Sequence, residues 1–313
     1  MNKRVFKVLG LSVLIFFTLL FAFSTGVSLY IRYRIPATGK FIEIDGRKVH
    51  YIEKGNGSPI VLIHGLNGSA NNFSYSLMDE LTSSHRVIAV DRPGSGYSDP
   101  TDCKDAILPN QAKFMAEFIK KLGLDKPKVV GHSLGGAVAL ELALEYPDLV
   151  SELKLISPLT QFQSEIPDPF KSMGIRSDIY RWIYARFFAT PMSIATEKKA
   201  LSVIFPNGVA PVNFGVKGGG YVSVDHVSFY YAACDLAGLE HYLKPLSEKY
   251  SQLKVPVSIL YGTEDKVLQY NLHGETMRER NPSVRLETMP GGHMIIVTDP
   301  KKVAEFILER SNS

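Results

Sequence analysis

The sequence predicts an α/β fold, a mostly parallel eight-stranded sheet flanked by helices, and three observations carry that prediction. Short apolar runs of strand length alternate with longer segments of helical periodicity, the βα rhythm of a parallel sheet. One such run, Pro127-Lys128-Val129-Val130, passes through Gly131-His132-Ser133-Leu134-Gly135 into the helical stretch Ala137–Leu144. A serine flanked by glycines therefore stands on a sharp strand-to-helix turn. Three further runs stop at loops carrying glycine, carboxylate or histidine, and the strand ends of such sheets are where their chemistry sits.

The front end is different in kind. No charged residue occurs from Val8 to Ile31. At about 1.5 Å per residue that run extends about 36 Å as a helix, and a bilayer core needs about 20 apolar residues. Lys3, Arg4 and Lys7 precede it; Arg32, Arg34 and Lys40 follow. Residues 1–34 are expected to be a single-span N-terminal transmembrane anchor with its flank. A cleaved signal peptide is the competing reading, because Ala22-Phe23-Ser24 resembles a cleavage site, but its apolar region is usually about 7–15 residues. The run is apolar on every face and lies outside the βα pattern, which argues against a buried core helix. With the amino group counted, the N-terminal side carries one positive charge more than the other, which leans towards a folded domain outside the cytoplasm.

Beyond the anchor, Phe41–Ile44 and Lys48–Glu53 alternate around Asp45-Gly46, a hairpin signal. Strands follow near 60–63, 86–90, 127–131 and 152–156, with helices near 70–82, 108–122 and 134–146. The rhythm resumes with a strand near 256–261, a helix near 270–279, a strand near 284–289 and a closing helix near 299–310. Between about 158 and 235 it breaks into aromatic-rich helices and small loops. That gives a core of 35–157 and 236–313 with a cap inserted at 158–235. Ile179–Phe188 reads as a helix with a wide apolar stripe, packed on the core or walling an acyl pocket. Arg176, Arg181, Arg186, Lys198 and Lys199 are candidates to touch anionic lipid heads. Lys217-Gly218-Gly219-Gly220 lacks the lysine–serine ending of a phosphate loop and reads as a cap loop.

Ser133 is the expected nucleophile. Its base and orienting acid should follow in the order Ser, Asp or Glu, His. The run Val255–Gly262 ends in Thr263-Glu264-Asp265, and Asp265 is taken as the acid with Glu264 as competitor. The run Val284–Met289 ends in Pro290-Gly291-Gly292-His293, and His293 is taken as the base. Upstream, Ile60–Ile63 stops at His64-Gly65-Leu66-Asn67-Gly68. The backbone N–H groups of Leu66 and Leu134 are the expected oxyanion hole. His64 is read as a brace for this loop, and His132 as pointing away from the serine's side of the turn. His50, His85, His226, His241 and His273 lack partners at metal-ligand spacing, so no metal and no cofactor are expected. The net charge of +4 and the absence of a basic cluster exclude a nucleic-acid binder. Cys103 and Cys234, far apart and without a CxxC partner, are expected as separate thiols.

These segments together resemble the α/β-hydrolase family. His64-Gly65 resembles its oxyanion loop, Asp91–Asp99 a structural turn after the next strand, Gly131–Gly136 the elbow, and Asp265 and His293 the acid and base. The resemblance covers most of the chain from about residue 40 and implies the α/β-hydrolase fold with a catalytic triad. Members that open epoxides or remove halide use a carboxylate at the elbow, so Ser133 argues against both. The arrangement is similar to anchored monoacylglycerol lipases. It implies a serine hydrolase acting on lipophilic acyl esters, such as a monoacylglycerol or lysophospholipid, with the membrane reached through the N-terminal helix. Carbon–carbon bond hydrolases and small-peptide aminopeptidases run on the same triad. They would need a basic group or a carboxylate in the pocket, for which Arg176, Glu165 and Asp168 are candidates. A non-enzymatic ligand receptor on the same fold is the third alternative.

Overall fold

The computed structural model describes residues 3–205 and 208–310. Its strands are β1 (Lys40–Ile44), β2 (Arg47–Lys54), β3 (Ser58–Ile63), β4 (His85–Val90), β5 (Lys128–His132), β6 (Glu152–Ile156), β7 (Val257–Gly262) and β8 (Arg285–Met289). They form one eight-stranded sheet in the order β1-β2-β4-β3-β5-β6-β7-β8. β1 pairs antiparallel with β2 through Asp45-Gly46, whose φ angles are 49° and 75°, and β2 pairs antiparallel with β4. All pairings from β4 to β8 are parallel. The mostly parallel α/β sheet is the one the sequence predicts.

The helices, in chain order, are α1 (Lys3–Arg34), α2 (Asn71–Ser74), α3 (Leu77–Leu81), α4 (Leu108–Lys121), α5 (Leu134–Glu145), α6 (Asp178–Ile183), α7 (Thr190–Ile204), α8 (Phe214–Lys217), α9 (His226–Ala237), α10 (Leu239–Glu248), α11 (Thr276–Arg280), α12 (Ile295–Thr298) and α13 (Pro300–Leu308). The sheet separates two apolar layers. Side chains alternate across a strand, so Val61 and Ile63 of β3 face the layer of α4 and α5, while Ile60 and Leu62 face that of α2, α3, α12 and α13. A strand covered on both faces is apolar at every position. α4 buries Leu108, Ala112, Met115 and Ile119 at helical spacing and leaves Lys113, Lys120 and Lys121 outside that stripe. α5 is buried from Leu134 to Ala143, and that stretch is accordingly apolar all round apart from Glu141.

Strand order reverses where the chain runs from β3 out to β4 and then returns to set β5 on the other edge of β3. A crevice opens above strand ends at such a switch point. α5 begins there, and it begins close. A Cβ on Gly135 would run into the carbonyl oxygens of Ile63 and His64, and one on Gly131 would lie 2.5 Å from the Gly135 oxygen. Both obstacles are backbone and cannot rotate away.

Several elements depart from the sequence reading. The helix expected at 70–82 is two short ones, α2 and α3, interrupted at Ser76, whose φ of −156° is outside the helical region. The helix expected at 179–188 continues as α6, a π-helical turn over Tyr184–Ala189, and α7. Likewise a π-helical turn, Asn271–Glu275, precedes α11. Cys103 and Cys234 are not separate thiols: they form a disulfide with Cα atoms 5.2 Å apart. Their separation of 131 residues hid the pairing, because only the folded chain lays α9 against the turn after β4. Arg181 is not free to meet lipid. It is fully buried, donating to the carbonyls of Ile175 and Arg176 and to Asp178.

Nor does α1 stand wholly apart from the rest of the fold. Ser24, Ser28 and Ile31 are buried against the segment between β6 and β7. Phe17 meets Phe187 and Phe188 with ring centroids 5.3 and 6.0 Å apart. Ser28 donates to Asp225, and Arg32 reaches the same carboxylate at 2.7 Å. α1 is long and apolar enough to cross a membrane.

Replacing Gly135 with alanine is expected to destabilise the protein by roughly 1–3 kcal/mol through overpacking against fixed backbone. A chemical-denaturation midpoint equal to that of the unchanged protein would contradict this account of the α5–β3 approach.

Candidate active site

β5 delivers Ser133 to the crevice at φ 55° and ψ −124°, a conformation outside the ordinary regions for a residue with a side chain. Three backbone hydrogen bonds fix it there. Its N–H donates to Ile156 O at 3.1 Å, and its carbonyl accepts from Leu159 N and Gly136 N, each at 2.9 Å. The neighbouring β3 loop comes within contact: a Cβ on Gly65 would lie 2.7 Å from Ser133 Cβ. Leu134 opens α5, so its N–H has no partner within the helix. The Leu66 N–H bonds to no backbone carbonyl among the described residues. Both residues, with Ser133 and His293, line one cavity of about 260 Å³.

Asp265 follows β7 and His293 follows β8. The two loops are stitched together by Thr263 N to Met289 O and Glu264 N to Gly291 O, both 2.8 Å. Asp265 Oδ1 accepts from the N–H groups of Val267 and Leu268, and Oδ2 accepts from His293 Nδ1 at 2.7 Å. Burial alone would raise this carboxyl's pKa, but the His293 ring and the hydrogen bonds outweigh it and hold the pKa below the ordinary value. Donation from Nδ1 leaves Nε2 of His293 as the acceptor. Glu264, the competing carboxylate, is exposed. None of the hydrogen bonds among the described residues runs from Ser133 Oγ to the His293 ring; both residues line the cavity.

Two neighbouring histidines are neutral by construction. His64 Nδ1 donates to the Gly65 carbonyl at 2.8 Å and its Nε2 accepts from Arg92 N at 3.0 Å, a pattern that only the neutral ring satisfies. It braces the loop that carries Leu66. His132 is not directed away from the catalytic side. Its Nε2 donates to the His293 carbonyl at 3.0 Å, and the two rings are 4.9 Å apart. Burial, with Arg92 beside one and His293 beside the other, lowers both pKa values from 6.5 to about 3.

Reading the sequence missed Arg92. It is buried, donates to the carbonyls of His64 and Gly65, and pairs with Asp235 of α9 through both carboxylate oxygens, at 3.1 and 2.9 Å. Gln111 joins the same group. The loop bearing Leu66 is thereby tied to the β6–β7 insertion. The one available signal was an arginine inside Asp91–Asp99, a turn read as structural. Asp91 does bond within that turn, accepting from Tyr97 N, and also from His50 and Ala70 N.

The rest of the cavity wall is largely apolar, with Leu159, Ile166, Met173, Leu201, Ile204 and Leu268. Among its lining residues are no lysine and no arginine, and Glu197 is the one carboxylate. Arg176, Glu165 and Asp168 are not among them; Arg176 pairs with Glu240, and Asp168 with Lys171 and Lys199. Among the described residues no cluster of histidine, cysteine or carboxylate has the form of a metal site.

Because His64 and His132 titrate near 3 when folded and at 6.5 when unfolded, the unfolded chain binds more protons in that interval. Stability is therefore expected to fall as pH drops from 6.5 towards 3, by about 1.4 kcal/mol per pH unit for each histidine. Asp265, depressed in the fold, adds a further loss below 3.8. Urea titrations between pH 7 and pH 4 measure this slope. His132→Asn should flatten it, and an unchanged slope in that variant would refute the assignment.

A sequence profile of the family described as alpha/beta hydrolase fold matches residues 58–205. The dihydrolipoyllysine-residue acetyltransferase component of the acetoin cleaving system of Cupriavidus necator is 40% identical over 124 residues, 39% of this chain and 33% of the relative. A 2-hydroxy-6-oxononadienedioate/2-hydroxy-6-oxononatrienedioate hydrolase of Burkholderia vietnamiensis is 33% identical over 154 residues, 46% of this chain and 54% of the relative. The chain thus matches a third to about half of the length of these curated relatives. Among solved structures, a bacterial membrane phospholipase A superposes with a TM-score of 0.69 at 22% identity, covering 96% of this chain and 94% of that one. Esterases and lipases are among the other structures that share the architecture. By its sheet, its strand order and these likenesses, the chain has the alpha/beta hydrolase fold.

Proposed function

We propose that this protein is a membrane-anchored serine hydrolase that cleaves carboxylic esters of lipophilic acyl substrates, a monoacylglycerol or similar, through an acyl-serine. Residues 35–157 and 236–313 form the catalytic core and 158–235 the cap over it. The observation that carries the reading is one largely apolar cavity lined by Ser133, the Asp265-bonded His293, Leu66 and Leu134.

The chemistry runs in two halves. Ser133 Oγ attacks the ester carbonyl carbon while its proton passes to His293 Nε2. The carbonyl oxygen takes the negative charge and accepts hydrogen bonds from Leu66 and Leu134 N–H. The carbon–oxygen bond to the alcohol then breaks, and His293 returns the proton to the departing oxygen. Water, losing a proton to the same nitrogen, attacks the acyl-serine; the serine oxygen leaves and is reprotonated, freeing the acid. Asp265 holds the ring's tautomer and supports its positive charge between steps.

Residues 1–34 serve as a single-span anchor. A disulfide persists in oxidising compartments, and Cys103–Cys234 therefore supports a catalytic domain outside the cytoplasm, as the basic N-terminal flank does. The second reading, carbon–carbon bond hydrolysis, is favoured by the name of the Burkholderia relative. An acidic dienol substrate would want a cationic partner, and no lysine or arginine lines the cavity.

A chain-length series of p-nitrophenyl and monoacylglycerol esters tests the proposal. Ser133→Ala is expected to lower turnover on the order of a million-fold and Asp265→Asn by about 10⁴, with folding unchanged by circular dichroism. A folded protein inert on every ester, or a Ser133→Ala variant that retains turnover, would overturn it.

A further inference from the structure

The length of α1 conflicts with a picture in which the catalytic domain rides clear of the bilayer. Lys7 is the last charge before the apolar run. From Val8 the first contact with the β6–β7 insertion comes at Phe17, whose ring packs on Phe187 and Phe188. The free stretch between them, Val8 to Phe16, covers only about 14 Å, less than half of the roughly 30 Å hydrocarbon core. A helix that starts at Val8 leaves the hydrocarbon near Val27. The residues from Phe17 to Val27, already packed on the insertion, must then lie within it.

The polar contacts agree with that depth. Ser28 and Arg32, just past the required length, are the residues that meet Asp225, and Ser28 also meets His226. Tyr30 and Tyr33 are exposed beside them, in the position of the aromatic side chains that mark a membrane interface. On the hydrocarbon side the insertion shows the matching surface. An aromatic row runs from Phe16 and Phe17 of α1 to Phe187 and on to Trp182. Trp182, Ile179 and Tyr180 are 53, 71 and 69% exposed, and Met192 and Ile194 of α7 continue the apolar exposure. Arg186, beside Phe187 in the chain, bonds to His226 through its guanidinium and lies 5.0 Å over the Phe21 ring of α1.

Resting on the anchor reading above, we propose that this face of the insertion, centred on Trp182, is seated in the hydrocarbon of the same leaflet that holds the C-terminal half of α1. The occupant is bilayer lipid. α7 then meets lipid with Met192 and Ile194 near its start and the cavity with Leu201 and Ile204 near its end, so a single helix reaches from dissolved acyl chains to the site that cleaves them.

Trp182 is the only tryptophan in the sequence, so its emission reports this face without further labelling. The full chain is reconstituted into phosphatidylcholine vesicles with bromine on the acyl chains, and compared with unbrominated vesicles. The expected result is loss of Trp182 emission in the brominated vesicles, in protein that resists carbonate extraction. Resistance to extraction with no loss of emission keeps the anchor and overturns the seating of the insertion. Emission that is blue-shifted, insensitive to bromine and dependent on protein concentration assigns the face to a second copy and also overturns it. Extraction by carbonate removes the anchor reading and this proposal together. As a second arm, Trp182→Asp should reduce turnover of a long-chain ester held in vesicles while sparing a water-soluble short-chain ester. Equal loss on both would mark Trp182 as merely structural.

Discussion

The backbone at Ser133 is the constraint from which the site follows. A residue forced to φ 55° and ψ −124° costs of order 1–3 kcal/mol, and it persists only because surrounding bonds determine it. β6 supplies one of them through Ile156 O, the chain beyond β6 supplies another through Leu159 N, and the first turn of α5 supplies the third. The same turn strips the neighbouring positions of side chains, since Gly131, Gly135 and Gly136 each face backbone or Pro158 at close range. What results is a hydroxyl at the head of a buried helix, beside an N–H that the helix cannot use itself.

A second tie, between the β3 loop and the insertion, acts on the other wall. The Arg92–Asp235 pair is buried on both sides. Burial raises the Asp235 pKa, with Arg92 and Gln111 pulling against it. A buried pair of this sort is weak evidence for net stability, but removing one partner leaves an uncompensated charge. Its position matters more than its energy. Arg92 also holds the carbonyls of His64 and Gly65, so the loop bearing one candidate oxyanion donor and α9 share a single guanidinium.

Much of this was legible in the sequence, for identifiable reasons. The strands were readable because both faces of the sheet are covered, which turns β3, β5 and β7 into short unbroken apolar runs. Ser133 and Asp265 stood out because each follows such a run, and His293 because it follows the alternating strand near 284–289; the fold gathers strand ends on one side. What could not be read depends on contacts between distant segments. The Cys103–Cys234 bond and the Arg92–Asp235 pair join the turn after β4 to α9, across more than a hundred residues of chain. His132 was misjudged for a subtler reason. Alternation along a strand indicates which face a residue takes, but not that the loop after β8 folds back to lay the His293 carbonyl over it. The break at Ser76 and the two π-helical turns are similarly set by packing, since helical periodicity survives them.

The disulfide has a mechanical consequence. α9 is fastened to the turn after β4 at three points: the Cys103–Cys234 bond, the Arg92–Asp235 pair, and Tyr231, whose hydroxyl donates to the Thr101 carbonyl and accepts from its N–H. With that edge riveted, the wall that the β6–β7 insertion gives the cavity has a fixed jamb along α9. The part of that wall formed by α7, where Ser193, Thr196, Leu201 and Ile204 line the cavity, carries none of the three rivets. Widening the cavity on that side means displacing α7, which also contacts α1.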